Sequence, residues 1–562
     1  MSLSAIGKST THPGRRFWIL LLILMLFAAA LRLYKLDVYP QVFNQDQAVL
    51  GYDAWSIWLT GRDHHGELLP VYFRAFNDYV PPVAMYITAP FVGLLGLSEF
   101  STRLPFALMG IATVFLTALL GRRWFGPAAG LLAGLLLSID PWHLSYSRIA
   151  FPASTMPFFT IAALYTFTRA TDRLKTRDGS KGVIGWFGLS ALAFALLTGC
   201  YPAMKVQAPL LMGACALAAA PLLWRHWRLT LGWLALYLAL ISPLVVMQLL
   251  HWDLIQFRFT GMALVGKPGW IAQFFRQYAD HYNWGALFFS GYKGGSAVRP
   301  ENIGELFWLE GPLWIGAVIG LAQRQYHRLA YALPLLVAIW FFTFPISSSL
   351  TTDDPPHEVR TYCFVPLPEL LAGYGAVVAW RQLSCYRWRR LTAAHVVATG
   401  GTAVFALFAA IYLPYFFPRP LQETDQSGYF EPYTVGLRPV LEKVTEAAQP
   451  CDVIWLESTN QTYIYYLFMT RFPPARFQQA NVVWADVNGW LQVPAFEQVH
   501  FGVPFIDKHI IHQPPACQGK PYTVYFMTHT KYTGPDWQPF FATTNGVGAP
   551  IWRAVTQPGA PQ

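Results

Sequence analysis

Twelve apolar stretches of bilayer-spanning length punctuate this sequence, beginning with FWILLLILMLFAAALRLYKL at residues 17 to 36. A helix of about twenty such residues crosses the hydrocarbon core and satisfies its own backbone polar groups there. The others lie near 80–97, 101–120, 127–145, 153–170, 183–200, 205–223, 229–250, 306–323, 329–346, 361–380 and 393–415. Composition agrees with a polytopic membrane protein: of 562 residues 54% are hydrophobic and 12% charged, with 22 Trp, 41 Phe and a mean hydropathy of +0.33. A soluble enzyme of this size is excluded. The formal charge of +10 does not indicate nucleic acid, because the basic residues fall in short clusters between apolar runs. The opening MSLSAIGKSTTHPGRRF shows no small-residue cleavage site, so an uncleaved first span is expected.

Charge sets the topology. If all twelve stretches crossed, the clusters at Arg122/Arg123, Arg169 to Lys181, Arg225/Arg228, Arg324/Arg328 and Arg381 to Arg390 would lie opposite Lys8, Arg15 and Arg16. Cytoplasmic loops are enriched in Lys and Arg, so this arrangement breaks the rule five times. Laying 80–97 along the outer interface instead puts every cluster on one side. Those loops then hold eighteen of the 40 Lys and Arg but only two of the 30 acids, Asp172 and Asp178. The expected fold class is therefore an α-helical polytopic membrane protein of about 11 transmembrane helices, with interfacial helices in the first outer loop. The expected location is the cell (inner) membrane, with the N-terminus cytoplasmic and the C-terminus outside. Outer loops fall at 37–100, 142–153, 251–305 and 347–360.

After Pro418 the composition changes. LRPVLEKVTEAA reads as an amphipathic helix, CDVIWLE and YTVYFMT as buried strands, and TYIYYLFMT as a helix or strand. Residues 1–415 are thus expected to form a transmembrane domain and 416–562 an outer α/β domain. Cys451 and Cys517 flank the two strands and are either disulfide-bonded or free thiols. Cys200, Cys215, Cys363 and Cys385 belong to spans or their ends, and no cysteine spacing suggests a zinc site.

The stretch FNQDQAVLGYDAWSIWLTGRDHHGE, Phe43 to Glu67, places two aspartates just beyond the first span. Its apolar residues recur at helical spacing, which fits a helix lying on the membrane surface. Asp46 falls at the N-terminal end, where it is either a helix cap or a functional carboxylate. Asp53, two turns later, is a solvated group or a local hydrogen-bond acceptor. Cations near membrane level in the outer loops are Arg148, Lys205, Arg258, His281, Lys293, His357 and Arg360. Singly each could snorkel to headgroups, but together with a carboxylate at the same depth they suggest a lipid-phosphate site. Asp140 in LLSIDPWHLSYSR and Glu310 in LFWLEGPLW sit at outer ends of spans, where an acid is either functional or paired with a neighbouring Arg.

Four stretches carry a family resemblance: NQDQAVLGYDAWSIWLTGRDHHGE; DYVPPVAMYI; RLPFALMGIATVFLTALLGRRWFG with DPWHLSYSRIAFPAS; and SSSLTTDDPPHEVRTYCFVPLPELL. From about residue 15 to 380 the chain resembles the polyprenyl-phosphate-sugar-dependent glycosyltransferases of the C superfamily (GT-C). The likeness is to the protein O-mannosyltransferase group, family 39, and its bacterial relatives, including the lipid A aminoarabinose transferases. The resemblance implies an interfacial helix pair in the first outer loop. It also implies transfer of a sugar, mannose-like, from a polyprenyl monophosphate to an acceptor hydroxyl on a protein, lipid or glycan at the outer face. Three positions depart from the family pattern: its Asp-Glu pair is Asp46-Gln47 here, the acid expected after Ser-Arg falls at Ala153, and the cation expected before Pro-Pro falls at Val80. A metal site built from those acids is not expected, and no cofactor is required, although a divalent metal is not excluded.

An alcohol is a weak nucleophile at neutral pH, so a positioned carboxylate should take its proton during attack. Asp46 is the candidate base, with Asp140 as second choice. Arg148, Lys205, His357, Arg360 and Arg258 are candidates for holding the departing phosphate, which gains negative charge as the bond breaks. Gln47, Asp53, Glu67, Asp78 and His281 are further site candidates. The rivals are a lipid-linked sugar transporter or flippase and a catalytically inactive homologue. Against transport, the chain shows neither internal duplication nor a nucleotide-binding loop.

Overall fold

The computed structural model describes residues 13–40, 43–76, 78–175, 182–255, 257–292, 303–323, 332–352, 355–388, 391–416, 434, 436–457, 461–480, 482–487, 490–502, 517, 519–529, 537–544 and 550–559. The first part of the chain runs α1 (Pro13–Leu33), α2 (Gln45–Thr60), β1 (Phe73–Ala75), β2 (Asp78–Val80), α3 (Val83–Leu95), α4 (Glu99–Phe125), α5 (Pro127–Ile139), α6 (Pro141–Tyr146), α7 (Met156–Lys175), α8 (Val183–Thr198) and α9 (Met204–Ala218). It continues through α10 (Ala220–Arg225), α11 (Trp227–Leu250), α12 (Trp252–Ile255), α13 (Phe257–Met262), α14 (Trp270–Asp280), α15 (Glu310–Ala322), α16 (Leu333–Thr343), α17 (Ile346–Ser349), α18 (Glu358–Thr361), α19 (Leu367–Leu383), β3 (Arg387–Trp388), β4 (Leu391–Thr392) and α20 (Ala393–Phe416). The remainder is α21 (Leu437–Ala447), β5 (Val453–Leu456), α22 (Thr462–Met469), α23 (Pro474–Gln479), β6 (Val483–Val487), β7 (Trp490–Phe496), β8 (Val499–Phe501), β9 (Tyr522–Thr528), β10 (Gln538–Thr544) and β11 (Pro550–Gly559).

Every apolar stretch read from the sequence contains a helix, but not always a long one. Among the described residues four helices are long and apolar enough to cross a membrane: Gly14–Leu33, Glu99–Phe125, Trp227–Leu250 and Ala393–Ala410. The bent pair Glu358–Phe364 and Leu367–Leu383 makes a fifth if taken as one span. Helix length alone therefore marks fewer spans than the eleven expected. Local chemistry explains the breaks. Asp140 and Pro141 start α6 with a capped N-terminus and so divide the 127–145 stretch, and Pro221 opens α10 inside 205–223.

Side chains at one end of the bundle bring three of the basic clusters together. The Arg122 guanidinium lies 4.2 Å from the Phe17 ring, at the start of α1, and 5.4 Å from Trp18. Arg123 Nε donates to Asp172 of α7 at 2.6 Å, with Lys175 3.8 Å away on the same carboxylate. The beginning of α1 and the ends of α4 and α7 thus share one end, as the charge pattern requires. The 80–97 stretch is folded as the thirteen-residue α3 after the β1–β2 hairpin, packed on α2 so closely that a Cβ at Gly93 would lie 2.1 Å from the Trp58 ring.

The expectation of a surface-lying α2 is corrected. Gln47 to Ala54 and Ser56 are all buried, and only the last turn exposes Trp58 and Leu59. Gly51 explains the enclosure: a Cβ there would meet Phe468 and Thr102 at 2.7 Å, so glycine lets α22 and α4 close together on α2. The Tyr52 hydroxyl donates to the Phe472 carbonyl at 2.7 Å, and the Gln478 amide donates to Ser56 at 3.0 Å and to the Asp63 carbonyl at 2.8 Å.

The partner on that face is a seven-stranded mixed sheet of order β10-β11-β9-β5-β8-β7-β6, with β5 parallel to both β8 and β9. Strand alternation divides it. Ile454 and Leu456 face a core that also contains Phe43, Val49, Tyr52 and Val92 of the first loop, while Val453 and Trp455 pack with Tyr522, Val524 and Phe526 on the other side. All eight residues of α22 are buried, as expected for a helix with large hydrophobic and aromatic side chains on every face. Cys451 and Cys517 are joined in a disulfide with Cα atoms 5.4 Å apart.

Candidate functional site

The first loop enters α2 through Asn44, whose side chain accepts from the Gln47 N–H at 3.1 Å. The cap role considered for Asp46 therefore belongs to Asn44. Asp46 stands in the first helical turn, half-buried, where the positive end of the helix dipole favours a carboxylate. Gln47 beside it is buried and structural. Its Oε1 accepts from Arg103 Nε at 3.0 Å and from the Ala150 N–H at 3.3 Å, while Arg103 Nη1 donates to the Leu36 carbonyl at 3.1 Å. One amide thus ties α2 to α4 and to the loop before α7. Arg103, fully enclosed, was not singled out by the sequence reading; its polar role shows only in its contacts.

Asp53 is not solvated but is a buried acceptor. Oδ1 takes the His64 N–H at 2.9 Å and lies 2.7 Å from His64 Nδ1. The second ring nitrogen is 3.3 Å from the Tyr463 hydroxyl of α22. Glu67 is exposed, and its N–H donates to Asp63 at 2.8 Å. Asp78 begins β2 and interacts electrostatically with Lys205.

Lys205, at the start of α9, stands at a cavity of about 230 Å³ lined by Tyr72, Tyr237, Ile241, Leu244 and Leu249 among others. Its ammonium lies 4.9 Å from the Tyr72 ring, and the Tyr72 hydroxyl points to Gln248 at 3.4 Å. Among the described residues the lining has one cation, over walls to which α8, α9 and α11 contribute, an arrangement that suits a phosphate with a hydrocarbon tail.

The remaining expected cations divide by their contacts. Arg360 donates from Nη1 to Thr351 Oγ1 at 2.5 Å and from Nη2 to Met262 Sδ at 3.8 Å, joining the late loop to the 251–305 loop. His357 Nδ1 accepts from the Val359 N–H at 3.3 Å, which the neutral ring does. Arg148 departs from the expectation: its guanidinium donates to the carbonyls of Leu31 at 2.6 Å, Tyr34 at 2.8 Å and Tyr39 at 3.0 Å, clamping the end of α1. His281 departs too. Burial, outweighing the hydrogen bond to the Gln277 carbonyl, takes its imidazole down to about 4, so at neutral pH it carries no charge for a phosphate. The side chain of Arg258, and Lys293 altogether, lie outside the described residues.

Asp140 is closed off from solvent. Oδ1 accepts from the His143 N–H at 2.7 Å, and the carboxylate lies with those of Glu310 and Glu369; among the described residues neither Asp140 nor Glu310 forms the pairing with Arg considered from sequence. Glu369 was not singled out. An acid in the first turn of an apolar span, PLPELLAGYG, was the available signal.

The helical bundle, with the C-terminal sheet unit packed on α2 and α3, has a likeness in fold among solved structures. Among solved structures, apo ArnT from Cupriavidus metallidurans matches 98% of this chain and 100% of its own, at 14% identity and a TM-score of 0.53. Residues 79–250 match the family described as dolichyl-phosphate-mannose-protein mannosyltransferase. The archaeal oligosaccharyltransferase AglB from Archaeoglobus fulgidus, solved with an inhibitory peptide and a dolichol-phosphate, is 15% identical at a TM-score of 0.48, over 82% of this chain and 64% of AglB. An uncharacterized protein of Aquifex aeolicus (strain VF5) is 29% identical over 161 residues, spanning 26% of this chain and 31% of that protein's length.

Proposed function

We propose that the chain moves a sugar from a polyprenyl monophosphate to an acceptor hydroxyl at the outer face of the cell membrane. The observation that carries this reading is the Lys205 cavity, whose lining from Pro81 to Leu249 falls within the residues matched by the mannosyltransferase family. The phosphate sits against Lys205, with Arg360 as a second candidate contact, and the prenyl chain follows the apolar wall of α11. Asp46 takes the proton of the attacking hydroxyl. The departing phosphate needs no acid, but its growing charge is stabilised by the fixed cation. One in-line displacement inverts the anomeric carbon.

The amide at Gln47 supports a second reading, an inactive homologue, because the resemblance places an acid there. Protein reconstituted with a radiolabelled polyprenyl-phosphate hexose and envelope extract separates the alternatives. Label appearing on a protein, lipid or glycan supports transfer. Labelled lipid crossing the bilayer intact supports transport, and binding without either supports the inactive reading.

A further inference from the structure

Three helix ends meet where Asp140, Glu310 and Glu369 meet. Asp140 closes α5, Glu310 opens α15, and Glu369 lies in the first turn of α19. Glycines force the approach. A Cβ at Gly375 would lie 1.8 Å from the Leu313 carbonyl of α15, and one at Gly373 would lie 2.6 Å from the Ala129 carbonyl of α5. Backbone packs on backbone where these helices cross. One oxygen of each lies within 4.8 Å of the others, and all three side chains are 0% exposed.

A second observation points to a ligand. Asp140 Oδ2, both oxygens of Glu310 and both oxygens of Glu369 are buried without a hydrogen-bond partner. Arg32 acts on Asp140 only at a distance, since its guanidinium is bonded to the carbonyls of Ser138 at 3.1 Å and Leu137 at 3.3 Å and to His143 Nδ1 at 2.7 Å. Glu305, whose carboxylate accepts from the Tyr292 N–H at 2.9 Å, adds further negative field. Three buried carboxylates that share the one His143 N–H donor to Asp140 and touch no counter-ion among the described residues are far too costly to keep charged, so something must neutralise them.

The geometry points to a resident divalent cation of calcium size held by Asp140, Glu310 and Glu369. Calcium takes six to eight oxygen ligands in flexible geometry, and a carboxylate can give it one oxygen or two, so three convergent carboxylates suit it. Magnesium, which demands tighter geometry and keeps several waters, suits this closed site less well. The ion is structural: it fixes the ends of α5, α15 and α19 beneath α6 and α18, the short helices of the second and late outer loops.

Metal analysis of the full chain, purified in detergent with calcium and then passed through chelated buffer, tests this. About one calcium per chain is expected, with EDTA lowering the wild-type melting temperature. Glu310→Gln and Glu369→Gln should lose the ion and the EDTA response; if either fails to fold, the wild-type metal content still decides. Mn2+ added to metal-stripped wild type should give a bound EPR signal that calcium displaces. A wild type that holds no calcium or manganese and melts unchanged in EDTA overturns the site in favour of carboxyl groups sharing protons. Calcium retained in both variants overturns it equally.

Discussion

Asp53 receives both the backbone N–H and the imidazole of His64, at 2.9 and 2.7 Å, and so fastens the loop after α2 back onto the helix. Burial pushes the His64 pKa down, but the Asp53 charge and hydrogen bond outweigh it and leave it above 6.5. A raised folded pKa contributes stability that is complete below the unfolded value and is lost as pH rises through the folded one. Neighbouring His65, stacked on Trp484 at 4.6 Å, is driven well below 6.5 by burial and by His64, and acts with the opposite sign. The informative quantity is therefore the difference between wild type and Asp53→Asn. Melting temperatures from mildly acidic to alkaline pH should show the wild-type advantage largest at the acid end and shrinking upward. A constant difference would remove the charged pair from the account.

Asp46→Asn separates a base from a helix-end residue. Because Asn44 already caps α2, the substitution should cost well under about 1 kcal/mol of stability. As a base, Asp46 should be worth about a hundred-fold in transfer rate at unchanged donor binding. Single-turnover transfer by purified protein is the measurement. A rate within about three-fold of wild type is too small a loss for a base and would reassign the role.

Lys205→Ala and Arg148→Ala should fail in different ways. Losing the cavity cation should weaken polyprenyl-phosphate binding by roughly ten-fold, with melting temperature nearly unchanged. Losing Arg148 leaves several carbonyls at the end of α1 without donors, so the melting temperature should fall first. Binding of labelled polyprenyl phosphate alongside thermal melting distinguishes the two. Unaltered binding in Lys205→Ala would move the phosphate away from this cavity.

Acid should act on the C-terminal unit through Glu457. Burial raises this carboxyl, but hydrogen bonds from His529 and Thr528 prevail and hold it at about 2. A depressed folded pKa gives stability that is present above the unfolded value of about 4.5 and lost as pH falls toward 2. Glu457→Gln should flatten that part of the pH–melting profile. An unchanged acid limb would show that other carboxylates govern it.

Topology has its own test. A cysteine at Lys175 should resist an impermeant thiol reagent in intact cells, whereas one at Lys443, exposed on α21, should react. Labelling at position 175 would invert the arrangement and place Asp46 on the wrong side for an outer acceptor.

The sequence by itself determined that this is a helical membrane protein, and its charge pattern called for the basic clusters to share a side. Hydropathy and loop charge are local properties, and each cation contributes without reference to any partner. The strands CDVIWLE and YTVYFMT were legible for the same reason, because apolar runs of that length report burial directly. Only the tertiary structure decided what each polar side chain does. Arg148 and Lys205 are equal candidates in the sequence, yet one bonds carbonyls at and just beyond the end of α1 and the other stands at an apolar cavity. Whether α2 lay on a membrane or inside a core depended on Gly51 and on α22, more than four hundred residues away. The meeting of Asp140, Glu310 and Glu369 was likewise hidden, because close approach is a property of three helices at once. Periodicity shows which face of a helix is apolar, but not which helix will cover it.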